Sequence, residues 1–99
     1  MSATVGSARI SLYFESTFSL KEKRAEVKRI TARIANQFNC AIAEIEDLND
    51  MRVATLGILV LSTSGDHASQ MLNRILDAIE RLLEISTVGE ISTELYPFD

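Results

Sequence analysis

Between residues 21 and 33 the chain sets Lys21, Lys23, Arg24, Lys28, Arg29 and Arg33 against only two acids, Glu22 and Glu26. Cations at that density suit a polyanion, because each phosphate they neutralise releases a counterion. The 100° step of a helix sorts them into two groups. Glu22, Glu26, Arg29 and Arg33 share one side, where Glu26 can pair with Arg29 three residues on for about 0.3 kcal/mol. Lys21, Arg24 and Lys28 fall within about 60° of one another, beside Ala25, Ala32 and Ala35 rather than acids. Those three are the candidate nucleic-acid contacts, with Lys23 and Arg33 as secondary ones. The competing reading is a solvated face, or one paired internally with Glu44, Glu46 or Asp47.

Other reactive side chains are sparse. His67 is the single histidine and stands at an expected helix start, where it reads as a cap or surface residue. No serine or cysteine constellation in a recognised motif accompanies it, so no catalytic residues are assigned and a non-enzyme is expected. Glu44, Glu46, Asp47 and Asp50 could attract a divalent ion, since hard cations prefer carboxylates, but their spacing matches no calcium loop. No metal ligands are assigned, and no cofactor is expected: four glycines supply no phosphate-cradling loop.

Composition bounds the rest. The 99 residues, 46% hydrophobic and 24% charged, suit one domain over residues 1–99. The formal net charge is -4, so the basic stretch stands out against an otherwise acidic chain. With Cys40 as the single cysteine, no intramolecular disulfide is available, which points to a reducing cytoplasm. The first residues lack a secretory pattern, and no segment is long and apolar enough for a bilayer, so neither export nor a membrane partner is expected.

The elements that must position these groups follow from periodicity. Ala8, Ile10, Leu12 and Phe14 alternate with polar neighbours, as in a strand with one buried face. After residues 15–18, Ser19-Leu20-Lys21-Glu22 has the spacing of a capping box. The helix it opens carries an apolar stripe of Leu20, Val27, Ile30, Ile34 and Phe38 and should end near Asn39. Cys40 to Glu46 reads as a short strand, Asp47 to Asp50 as a turn, and Ala54 to Leu61 as a covered central strand. Ser64 or Asp66 caps a second helix, whose stripe is Ala68, Met71, Leu72, Ile75, Ile79 and Leu82. Gly89 is read as its stop, and Ile91 to Tyr96 as a last strand closed by Pro97.

Two tandem β-α-β units with right-handed crossovers give an α+β, ferredoxin-like βαββαβ sandwich: a four-stranded antiparallel sheet with two helices on one face. Ala54 to Leu61 is apolar at both parities, so the open face should expose Leu59 and Leu61, or the reverse set, and such patches mark interfaces. A homodimer through that face is therefore expected as the alternative to nucleic-acid binding. Base stacking as in RRM domains is not expected, because Leu56, Ile58 and Val60 stand where aromatics would be needed; Tyr13 and Tyr96 could still reach the open face.

The block Ser19-Leu20-Lys21-Glu22-Lys23-Arg24, followed by Phe38-Asn39, Ala43-Glu44-Ile45, Ala54-Thr55-Leu56-Gly57-Ile58 and His67-Ala68, resembles the small bacterial family of unknown function that includes YlxP (DUF503). The resemblance runs over nearly the whole chain and departs at Met51, where the family pattern suggests tryptophan. It implies a ferredoxin-like fold and a cytoplasmic bacterial protein encoded near translation genes, with no established reaction. The combined expectation is a non-catalytic protein that engages RNA or a ribosomal particle through Lys21, Arg24 and Lys28.

Overall fold

The computed structural model describes residues 3–16 and 19–98; the Thr17-Phe18 step of the first connection lies outside them. Six elements follow one another: β1 (Ala3–Tyr13), α1 (Leu20–Gln37), β2 (Ala41–Glu46), β3 (Val53–Ser62), α2 (Gly65–Leu82) and β4 (Thr87–Phe98). The strands form one sheet in the order β2-β3-β1-β4, and every neighbouring pair is antiparallel. This is the ferredoxin-like sandwich anticipated from the pattern.

Strand alternation decides which side of the sheet is covered. Ala8, Ile10 and Leu12 of β1 and Ala54, Leu56, Ile58 and Val60 of β3 are buried, and they meet Val27, Ile30 and Ile34 of α1 with Ala68, Leu72, Ile75 and Ile79 of α2 in one core. The opposite parity, including Arg9 and Leu59, faces away from the helices, as the register Arg9↔Gly57 and Ser7↔Leu59 requires. Both helices begin with a serine cap. Ser19 Oγ accepts the Glu22 N–H at 3.1 Å, and Ser64 Oγ accepts the His67 N–H at 3.0 Å. Each satisfies a helical donor that would otherwise lack a partner, contributing about 1 kcal/mol.

Two expectations about the last third of the chain need correction. Gly89 does not stop α2, which ends at Leu82 with Leu83 as its cap. Gly89 lies inside β4, opposite a register shift between Ile10 and Leu12 where the ring of Tyr13 crosses it; a Cβ there would stand 2.2 Å from Tyr13 Cε2. Nor does Pro97 close β4, since it pairs with Thr4 within the strand. An outermost strand tolerates proline because its missing donor need not belong to a ladder.

Candidate functional site

α1 packs on β2 and α2, which turns one of its long sides toward the β2–β3 connection. Lys23 faces inward here and is fully buried, which corrects the expectation that it serves as a secondary surface contact. Its Nζ donates to the carbonyls of Asp47 and Asp50, each at 2.6 Å, and sits 2.9 Å from Glu44 Oε2. That last contact is an ion pair outside hydrogen-bond angles, since the buried Oε2 has no hydrogen-bond donor. The Asp47 carbonyl can turn toward the ammonium because Asp47 adopts φ 63, a left-handed conformation that Asp tolerates better than most residues. A buried ammonium is held only where its donors and charge are answered, and the turn between β2 and β3 is the structure that answers them.

The helical wheel contains the signal for this. Three residues after Leu20 and four before Val27, Lys23 falls within the apolar stripe, not beside it. Glu26, on the stripe's edge, is likewise buried. Its carboxylate pairs with Arg29 at 3.2 Å, as the sequence suggested, and also accepts the N–H groups of Glu84 and Ile85 and the Ser86 hydroxyl. That bond set turns the chain out of α2 and into β4, a task first assigned to Gly89.

Lys21, Arg24 and Lys28 remain exposed. Arg24 reaches Asn49 Oδ1 at 3.3 Å, a neutral partner that leaves its charge uncompensated. Among the described residues Lys21 and Lys28 make no ion pair, and Ala25, Ala32 and Ala35 beside them are exposed as well. Arg33 is exposed but stands about 140° around the helix from Lys28, too far to share one contact surface.

The four acids of the β2–β3 region do not converge. Glu44 faces Lys23, Glu46 pairs with Arg9 on the open sheet face, Asp47 accepts the Thr55 hydroxyl at 3.1 Å, and Asp50 accepts the Arg52 N–H at 2.8 Å. Among the described residues no group of three or more potential metal ligands is gathered. His67 Nδ1 lies 2.7 Å from Ser62 Oγ, a contact that sequence reasoning missed. Ser62 Oγ also accepts the Ser64 N–H at 3.2 Å, which makes the pair part of the α2 cap.

The open face holds the second candidate surface. Leu59 and Leu61 are 51% and 55% exposed there, the parity first expected. Leu56, Ile58 and Val60 face the helices instead, and the outward residues of β3, Val53, Thr55, Gly57, Leu59 and Leu61, supply no aromatic ring for base stacking either. Tyr13 and Tyr96 do lie on this face. The Glu90 carboxylate beside its hydroxyl pushes the Tyr13 phenol above the ordinary range, and partial burial pushes the Cys40 thiol up. Ser7, Ala41, Ala43 and Gly57 floor a hollow of about 440 Å³ that is flanked by Ile45, Leu59 and Tyr96.

Fold and surfaces define a small ferredoxin-like α+β sandwich. The chain belongs to the family described as "Protein of unknown function (DUF503)", which matches residues 5–90. It is 36% identical over 81 residues to the uncharacterized protein YlxP of Bacillus subtilis (strain 168), covering 82% of this chain and 88% of that one. Similar solved structures include the de novo designed protein Foldit4, with TM-score 0.50 and 20% identity over 93% of this chain and 96% of that one. Another is the candidate chlorite dismutase TA0507, with TM-score 0.52 and 14% identity over 94% of this chain. The chain spans 44% of TA0507, and at these identities the two likenesses show the fold alone. Neither helix is long and apolar enough to cross a membrane.

Proposed function

We propose that this is a non-catalytic cytoplasmic binding protein that engages RNA, free or within a ribosomal particle, through Lys21, Arg24 and Lys28 of α1. The observation that carries the reading is the contrast along one helix. Lys23 and Arg29 are neutralised by Glu44, Glu26 and Glu84, whereas Lys21, Arg24 and Lys28 project to solvent with no carboxylate against them among the described residues. The charges that the fold needs are internally answered, and the remaining ones are free to act outward. Exposed alanines between them let a ribose-phosphate chain come close, and the acidic remainder of the molecule disfavours indiscriminate binding.

Neutralising three phosphates of a single strand gives a slope of log K against log salt of about -2. Fluorescence anisotropy with a labelled single-stranded RNA, and co-sedimentation with ribosomal particles, should both weaken along that slope. Lys21→Glu/Arg24→Glu/Lys28→Glu should abolish binding without changing the circular dichroism spectrum. Absence of any salt-sensitive association by the unmodified protein at low ionic strength would overturn the reading.

A further inference from the structure

On the open face, the strand register groups side chains into rows. Leu61, Val5 and Tyr96 lie abreast across β3, β1 and β4, with Phe98 opposite Ala3 just beyond and Leu59 in the next row. Leu59, Leu61, Tyr96 and Phe98 are each between 45% and 57% exposed, so this end of the sheet carries an apolar ridge. The adjoining rows are cut away. Ser7, Ala41 and Ala43 carry small side chains under a hollow of about 440 Å³, with Ile45 lying over Gly57 and Arg9 also in its lining. A second depression of about 360 Å³ continues it along Ala41 and Leu59 toward Phe98.

We infer that this face is an isologous interface with a second copy of the chain. A two-fold axis brings a surface against itself, so one surface must supply both projection and recess. Here the ridge and the hollow lie in neighbouring rows of the same face, and a copy turned about such an axis lays its ridge in the other's hollow. Of the charged groups on this face, Arg9 is ion-paired with Glu46, while the Glu94 and Glu90 carboxylates accept the Tyr96 and Tyr13 hydroxyls and keep their charge. Glu90 and Glu94 belong to β4, the outermost strand, so the interface leaves both carboxylates at its solvated rim, and an apolar core within a polar rim is the anatomy of stable interfaces. The size also fits. Four strands about 4.8 Å apart and averaging about 33 Å in length present roughly 600 Å² of projected sheet, close to the ~800 Å² per partner of a standard interface once side-chain relief is counted. The basic side of α1 lies on the far side of the sheet and stays free in such a dimer.

Sedimentation velocity on the full chain from micromolar to submillimolar concentration tests this. The expected species has twice the 11.0 kDa mass of one chain. Leu59→Arg and Phe98→Arg, both at exposed positions of the proposed interface, should each weaken the dimer about 100-fold or more while the fold persists by circular dichroism. Ile91→Arg, on the opposite face of β4, should leave it intact. Using two separate positions keeps the test decisive if one variant folds poorly. A monomer at every concentration overturns the inference, as does a dimer that survives Leu59→Arg and Phe98→Arg or dissociates only with Ile91→Arg. Lys21→Glu/Arg24→Glu/Lys28→Glu should not change the mass, so failure of the RNA reading and failure of this one are distinguishable.

Discussion

Lys23 brings a full positive charge into the interior of a small protein, where an ammonium without partners could not remain. Its carbonyl partners come from Asp47 and Asp50, so the charge is satisfied only when the β2–β3 turn closes on α1. Lys23→Met keeps much of the volume but leaves Glu44 and two carbonyls without the ammonium. Breaking one side of a buried pair in this way should cost about 3 kcal/mol, read as a lowered urea midpoint with the slope unchanged. Adding Glu44→Met should recover part of that loss, because it removes the mostly buried carboxylate left without its counter-charge. If Lys23→Met matches the unmodified protein in urea, the cage is incidental to stability. Glu26 plays the corresponding part at the other end of the molecule, tying α1 to the segment before β4 through donors 58 to 60 residues away.

At the scale of elements, β4 is the least conventional piece. It runs from Thr87 to Phe98, and all residues from Glu90 to Phe98 are exposed. α2 covers β1 and β3 as well as part of β4, yet Ile91 and Leu95 on its helix side stay 48% and 45% exposed. The strand is set against β1 at its start by the Tyr13 ring lying over Gly89, where a side chain does not fit. Gly89→Ala must push that ring aside, which should destabilise the protein by about 1 kcal/mol. The displaced hydroxyl also leaves Glu90, now 3.3 Å away. Without that neighbouring anion, the largest cause of the shift, the phenolate is less disfavoured, so Tyr13 should ionise at lower pH than in the unmodified protein. Ultraviolet titration of the two proteins in a Tyr96→Phe background reads this directly; identical Tyr13 titrations would show that the ring does not move.

The whole molecule is elongated, with extents of 50 × 21 × 17 Å. Two 18-residue helices span about 27 Å, whereas a 12-residue strand spans about 40 Å, so the sheet outruns its cover. Its uncovered apolar side and the basic side of α1 point in opposite directions. That separation predicts that two functions would be independent: Leu59→Arg should leave RNA anisotropy per chain within about twofold when both proteins are measured as monomers, because distant sites add without coupling. A larger loss would mean that the two surfaces act as one site.

The sequence by itself determined the order of elements, the Ser19 cap and the apolar stripes of both helices, because each depends on spacing along a few neighbouring residues. Only tertiary structure chose Ser64 over Asp66 as the second cap, turned Leu59 and Leu61 outward from a strand apolar at both parities, and decided the fates of Lys23, Glu26 and Gly89. Lys23 is answered by backbone carbonyls 24 and 27 residues away, Glu26 by amides and a hydroxyl further still, and Gly89 by an aromatic ring on β1. A carbonyl exists at every residue and carries no sequence signature, so a cation satisfied by two of them reads as an ordinary surface charge until the chain is folded.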